Sequence, residues 1–330
     1  MSNFICVQCG TQFSVTAAPP ETCPICTDAR QYVRHEGQAW TTMEQLAADH
    51  HNRFEEEAGQ LLGIGTEPNF AIGQRALLLQ LPGGNLLWDC ITLLDDQTIA
   101  KIEARGGIRA IAISHPHYYS AMVDWADHFN AEIFLHVADR QWVMQDNPRI
   151  RFWNGSTQPL WDELTLINCG GHFDGGTVLH WAGGAESKGA LLSGDIIQVV
   201  PDRRYVTFMW SYPNLVPLGA AAIRRIVNTL QPFHFDRIYG AWWKANITSN
   251  AKLSVATSAE RYLHAISSCA IRSAASSRSD PFAWDGISLL PVRLLASLST
   301  RYCRLDPLFR HVCRTHPLSL PVPERIRHRL

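Results

Sequence analysis

The sequence predicts a layered α/β fold with mixed sheets, preceded by a small four-cysteine knuckle. Three observations carry this. Two CxxC pairs sit in the first 26 residues, a hairpin signal opens the central region, and short apolar strands then alternate with helices and glycine turns. The 330 residues are 46% hydrophobic and 18% charged, enough to bury a sizeable core and too little charge for a disordered chain. A formal net charge of -1 gives no global pull toward nucleic acid or membrane. No apolar run approaches the 18 residues of a spanning helix, and the start, MSNFICVQCG, does not read as a secretory signal. With nine cysteines, an odd number, this points to a reducing, cytoplasmic setting.

The knuckle comprises residues 1–35. Cys6 and Cys9 form one CxxC, Cys23 and Cys26 the other, separated by thirteen residues. A two-residue gap lets one tight turn present both sulfurs to one ion, and two such turns supply four thiolates, suited to tetrahedral zinc or a single iron. The string ICVQCGTQF…TCPIC resembles a rubredoxin-type knuckle or zinc ribbon; its spacer, shorter than in rubredoxins proper, favours zinc. Cys90, Cys169, Cys269, Cys303 and Cys313 are scattered and read as small apolar residues.

Residues 36–59 read as a connector. TTMEQLAADHHNRFEEEA (41–58) is expected to be helical, with Thr42 as N-cap and Gln45 at the third position. His50 and His51, adjacent on that helix, point too far apart to chelate together and read as solvated. AIGQRALLLQL and NLLWDCI flank PGG as a hairpin. QTIAKIEARGG reads as a helix ended by glycine and IRAIAIS as a buried strand. A helix near 120–130, the strand EIFLHV and a helix near 138–145 follow. Then come three glycine-punctuated strands (ELTLINCGG, TVLHWAGG, GALLSGDII), a helix at 217–230, the strand FDRIYGAWW and a helix near 252–267.

Four ligand-type positions recur at strand exits. His115 and His117 follow IRAIAI, two apart and so on one face in extended chain. His172 leaves a strand in the turn CGGHFDGG, Asp195 ends ALLSGD, and Asp89 ends NLLWD. Each alone is weak; the ordered set is stronger.

On these motifs, roughly residues 60–268 resemble the metallo-β-lactamase superfamily. Its pattern places an Asp at an early strand end (LLWDC), HxHxDH after a later strand, a GH turn and a strand-end Asp. The separations, 55 residues from His117 to His172 and 23 more to Asp195, fit. The resemblance implies a four-layer αβ/βα sandwich. It assigns His115, His117 and His172 to a three-histidine metal site, Asp195 to the bridging carboxylate, and Asp89 to organising the loops. It also implies a hydrolase in which hydroxide on the metal attacks an ester, thioester, amide or phosphoester. The chain departs from the pattern where it has Tyr119 and Ser120 in place of Asp and His, and Ala241 and Trp242 where a last His is expected. These are poor or non-ligands, so one metal is expected in this domain. Zinc is expected in both sites, with iron or manganese as alternatives beside the histidines. His128, His136, His180 and Asp174 read as core or surface residues. Most late aromatics read as core, but FMWSYPN, just beyond Asp195, is placed to line a substrate pocket.

A small-molecule substrate and no membrane are expected, and a protein partner at the knuckle stays open. Arg30 and Arg34, the only cations in residues 1–40, are too few for a phosphate track. A non-catalytic binding protein and an iron-dependent redox protein are the rival readings. Residues 269–330 form an atypical Arg-rich tail, expected to be poorly ordered. From Arg272 onward there are ten Arg, no Lys and four acids.

Overall fold

The computed structural model describes residues 1–275, with side chains to 267. The expected Arg-rich tail, with Cys303 and Cys313, lies outside the described residues, as does the side chain of Cys269.

Two mixed sheets form the body. The first runs in chain order: β1 (His51–Ala58), β2 (Leu61–Glu67), β3 (Arg75–Leu79), β4 (Leu86–Trp88), β5 (Ala110–Ala112), β6 (Glu132–His136) and β7 (Ile150–Trp153). Pairing is antiparallel through β4 and parallel from there on. The second sheet is β8 (Thr157–Pro159), β9 (Leu164–Asn168), β10 (Thr177–Trp181), β11 (Ala190–Gly194), β12 (Arg237–Gly240) and β13 (Asn246–Ile247). Only β11 and β12 pair in parallel.

Strand periodicity explains the layering. Leu77, Leu79, Leu86 and Trp88 point from the first sheet onto Leu164, Leu166, Leu179 and Leu192 of the second, a dry inter-sheet core. The alternate residues Leu78, Leu87 and Ile111 turn the other way, against Ile102 of helix α2 (Asp96–Glu103) and Met122, Val123 and Trp125 of α3 (Met122–Phe129). In the second sheet Val178, Leu191 and Ile238 meet Ile223, Ile226 and Leu230 of α4 (Ala220–Leu230) and Val255 of α5 (Ala251–Ala275). The result is the helix–sheet–sheet–helix sandwich that the resemblance implies. Because strands and exits share a direction around β5 and β11, both sheets deliver chain to one edge.

One expectation needs correction. The helix over 41–58 is confined to α1 (Met43–Ala47), where the Thr42 side chain does accept from the Gln45 N–H. His51–Ala58 is instead the edge strand β1. Its glutamates favour helix locally, but pairing to β2 overrides that preference. Asn52 is buried, donating to the Leu93 carbonyl at 2.8 Å and accepting from Thr66 Oγ1 at 2.9 Å. The strand Leu61–Glu67 is not among the expected elements; at Gly63 and Gly65 a Cβ would strike the Trp243 ring at 2.6 and 2.9 Å, so the two glycines leave the room the indole occupies.

The sheets are also bridged by charge. Arg75 is fully buried and pairs with Glu57, whose side chain is 6% exposed. Its guanidinium donates to the Gly240 carbonyl at 3.2 and 3.1 Å and to Asn246 Oδ1 at 2.7 Å. Removing one partner strands the other in low dielectric. Arg75→Ala is therefore expected to cost about 3–5 kcal/mol in urea unfolding. Arg237→Ala, which breaks the exposed pair with Glu186, should cost about 0.5 kcal/mol or less.

Candidate metal centre

The structure brings together the four residues that the sequence places at separate strand exits. The chain leaves β5 through Ser114 to His115, and a short 3-10 turn, Pro116–Tyr118, carries His117. His172 lies in the turn after β9, and Asp195 follows β11 directly. One ligand atom from each of His115, His117, His172 and Asp195 lies within 4.8 Å of every other. The three imidazole centroids form a near-equilateral triangle, 5.0, 4.9 and 5.0 Å on a side. His172 Nε2 is 3.2 Å from His117 Nδ1, and His115 Nε2 is 3.9 Å from Asp195 Oδ2.

Neighbours fix each group from behind. Ser114 Oγ is 2.9 Å from His115 Nδ1, and His172 Nδ1 is 2.8 Å from the Trp210 carbonyl. Tyr118 donates to Asp195 Oδ1 at 2.9 Å, and Tyr212 donates to the Asp195 carbonyl at 2.7 Å. Asp89 stands outside the cluster. Its carboxylate accepts the Ser114 N–H at 2.7 Å, bracing the residue that leads into His115. Gly194 must be glycine: at φ +52° an added Cβ would lie 2.4 Å from Ser114 Oγ and 3.2 Å from Asp89 Oδ2.

The electrostatics suit a cation. Burial pushes the His115 and His117 rings well below the ordinary imidazole range, and His172 down to about 4, so all three are neutral donors at pH 7. Burial raises Asp195 to about 7 and Asp89 to about 8. His115 Nε2 and His117 Nε2 are buried without a hydrogen-bond partner. Orphaned nitrogens of this kind beside a buried carboxylate fit a metal ion.

The positions that depart from the superfamily pattern contribute no donor to this cluster. Tyr119 directs its hydroxyl to the Asp139 carbonyl at 3.5 Å. Ser120 donates to the Cys90 carbonyl at 3.2 Å, and Trp242 donates to the Ile72 carbonyl at 3.4 Å. His128 lies 3.4 Å from Glu103, while His136 and His180 bond the carbonyls of Gly155 and His234. Neither these three nor Asp174 joins the cluster.

The N-terminal cysteines form a second cluster. Cys6, Cys9, Cys23 and Cys26 are buried, with Cys6 and Cys26 sulfurs 3.6 Å apart and Cys9 and Cys23 likewise 3.6 Å. Sulfurs about 3.8 Å apart are what a tetrahedron of ~2.3 Å zinc–sulfur bonds requires. The module packs Phe13 and Ile25 beside Trp142 and Met144 of the body.

It also reaches the histidines. Arg30, paired with Asp28, lies with its guanidinium 3.9 Å from the Phe173 ring centre and donates to the His172 carbonyl at 3.4 Å. Gln31 lines a cleft of about 330 Å³ together with His117, His172, Asp195, Tyr212 and Trp242. The segment FMWSYPN thus supplies Tyr212 and Pro213 to the cleft. Sequence reading missed Ser114, Tyr118, Arg30 and Gln31. The first two are neighbours of HPH and visible in principle; the last two meet the site only through tertiary packing.

Asp139 holds the His172 turn, accepting the Gly175 N–H at 2.9 Å, and burial raises its carboxyl to about 7. A folded pKa above that of the unfolded chain means the stabilisation is full below about pH 4 and lost as pH rises through about 7. Asp139→Asn keeps the acceptor and removes the charge. Urea titrations should find it more stable than wild type at pH 8 and indistinguishable at pH 4.

No protein-family model matches the chain. Among solved structures it is similar to the metallo-β-lactamase DIM-1, at 13% identity and TM-score 0.48 over 63% of this chain and 98% of that one. It is likewise similar to a Cronobacter sakazakii metallo-β-lactamase, at 18% identity and TM-score 0.44 over 68% and 99%. The Bacillus subtilis (strain 168) protein YmaE is 48% identical over 270 residues, 81% of this chain and 98% of its own length. The chain belongs to the family of YmaE.

Proposed function

We propose that the protein is a metal-dependent hydrolase with one ion among His115, His117, His172 and Asp195 and a structural zinc among Cys6, Cys9, Cys23 and Cys26. The observation that carries it is the convergence of three neutral, buried imidazoles, two with orphaned nitrogens, on a buried carboxylate. Zinc suits both donor sets, with iron or manganese as alternatives in the first. When bound there, a divalent ion supplies Lewis acidity and a water of lowered pKa for attack on an acyl or phosphoryl centre.

The chain's own groups do the rest. Ser114 and the Trp210 carbonyl set the faces of His115 and His172, and Tyr118 holds Asp195. Trp242 and Tyr212 wall the cleft. Trp242 stands where a second ion would need a donor, which supports mononuclear chemistry. A small-molecule substrate fits the size of the cleft. Among the described residues no helix is long and apolar enough to cross a membrane, and six free cysteines support a reducing, cytoplasmic compartment.

The test is hydrolysis of a panel of esters, thioesters, amides and phosphoesters by metal-replete protein. His117→Ala is expected to bring turnover to background and remove one ion per chain. Cys6→Ser with Cys9→Ser should release the other ion and open residues 1–35 to protease while the body stays folded. Full metal loading with no turnover of any panel member would favour a non-catalytic binding protein instead.

A further inference from the structure

We propose that Gln31, carried by the four-cysteine module, is a substrate-binding residue of the cleft, and that the cleft selects small uncharged acyl compounds over phosphoesters. This rests on the hydrolase reading and narrows its substrate class.

Gln31 is only 6% exposed, yet its Oε1 is buried without a hydrogen-bond partner. An unpaired buried amide oxygen is unfavourable unless something else pairs with it. Gln31 lines the cleft that contains His117, His172 and Asp195, so its amide can turn to meet a molecule bound there. The residue is also held in place. Its N–H donates to the Asp28 carbonyl at 2.9 Å, and its carbonyl accepts from Asn214 Nδ2 at 3.1 Å. The flanking Ala29 and Arg30 carbonyls accept from Asn214 Nδ2 and Ser211 Oγ at 3.0 and 2.9 Å. Residues 29–31 are thereby stitched to the loop whose Tyr212 fixes Asp195. With its backbone so anchored, Gln31 can orient a ligand at the entropic cost of its side chain alone.

Charge points to the class of ligand. Among the described residues the cleft lining contains no Lys or Arg. The nearby Arg30 is committed to Asp28, the Phe173 ring and the His172 carbonyl. On the hydrolase reading the ion is the one positive charge in the cleft, so a phosphoester's remaining anionic oxygens would meet no side-chain cation among the described lining residues. An amide or hydroxyl-bearing acyl compound instead offers an N–H or O–H to Gln31 and apolar surface to Tyr32, Tyr212 and Trp242.

The test is calorimetric binding to metal-replete full-length protein, with metal per chain measured in every variant. The probes are acetohydroxamic acid, which ligates a metal as the hydroxamate and keeps an amide N–H, and inorganic phosphate. Wild type should bind the hydroxamate more tightly than phosphate. Gln31→Leu should raise the hydroxamate Kd about three- to tenfold and leave the phosphate Kd within about twofold. Gln31→Glu retains the acceptor and covers the case in which the apolar variant fails to fold. It should recover most hydroxamate affinity and weaken phosphate binding further. An unchanged hydroxamate Kd in Gln31→Leu, a wild-type preference for phosphate, or no hydroxamate binding would overturn the proposal. Binding that depends on Gln31 in a protein that hydrolyses nothing would leave it standing and sink the hydrolase reading alone.

Discussion

The constraint on which this structure depends is the burial of three imidazoles and one carboxylate at a sandwich edge, with a ligand atom of each within 4.8 Å of every other. Burial keeps His115, His117 and His172 unprotonated and drives the Asp195 carboxyl up, so without a cation the cluster is held at a cost. A divalent ion would favour the same neutral imidazoles and draw the Asp195 carboxyl back down to its ionised form. Everything around the cluster serves its geometry: Asp89 grips Ser114, Gly194 yields space to both, and Tyr118 and Tyr212 clamp Asp195 from two sides.

The sandwich supplies the rigidity. Inter-sheet leucines and Trp88 lock the two sheets, and the helices cover the outer faces, so chain leaving β5, β9 and β11 arrives at one edge in fixed register. Loops on such a scaffold can carry polar groups that a core would not tolerate. The knuckle closes the same edge from outside. Its Arg30 rests on Phe173, the residue after His172, so the two clusters are mechanically joined although their ligands are separate.

Much of this was legible in the sequence because it depends on local chemistry. Paired CxxC spacing, glycine turns and apolar strands ending in His or Asp each write themselves into a few consecutive residues. The site positions His115, His117, His172 and Asp195 were visible for that reason, and so was the alternation that built the layers. The stretch HNRFEEEA was misread because its glutamates favour helix, whereas its strand state depends on a partner ten residues onward. Gln31 was invisible for a similar reason: nothing in its neighbours Arg30 and Tyr32 announces a cleft residue 86 positions from His117 in the chain. Its role arises only when the module packs.

The central claim is that one cation resolves the buried His3Asp cluster and a second resolves the thiolates. Elemental analysis of purified wild-type protein, stripped of loosely bound ions, tests it most directly. Two ions per chain are expected. One ion per chain would mean that a cluster stands without a cation, and three would mean that a donor outside His115, His117, His172 and Asp195 completes a second position in the cleft.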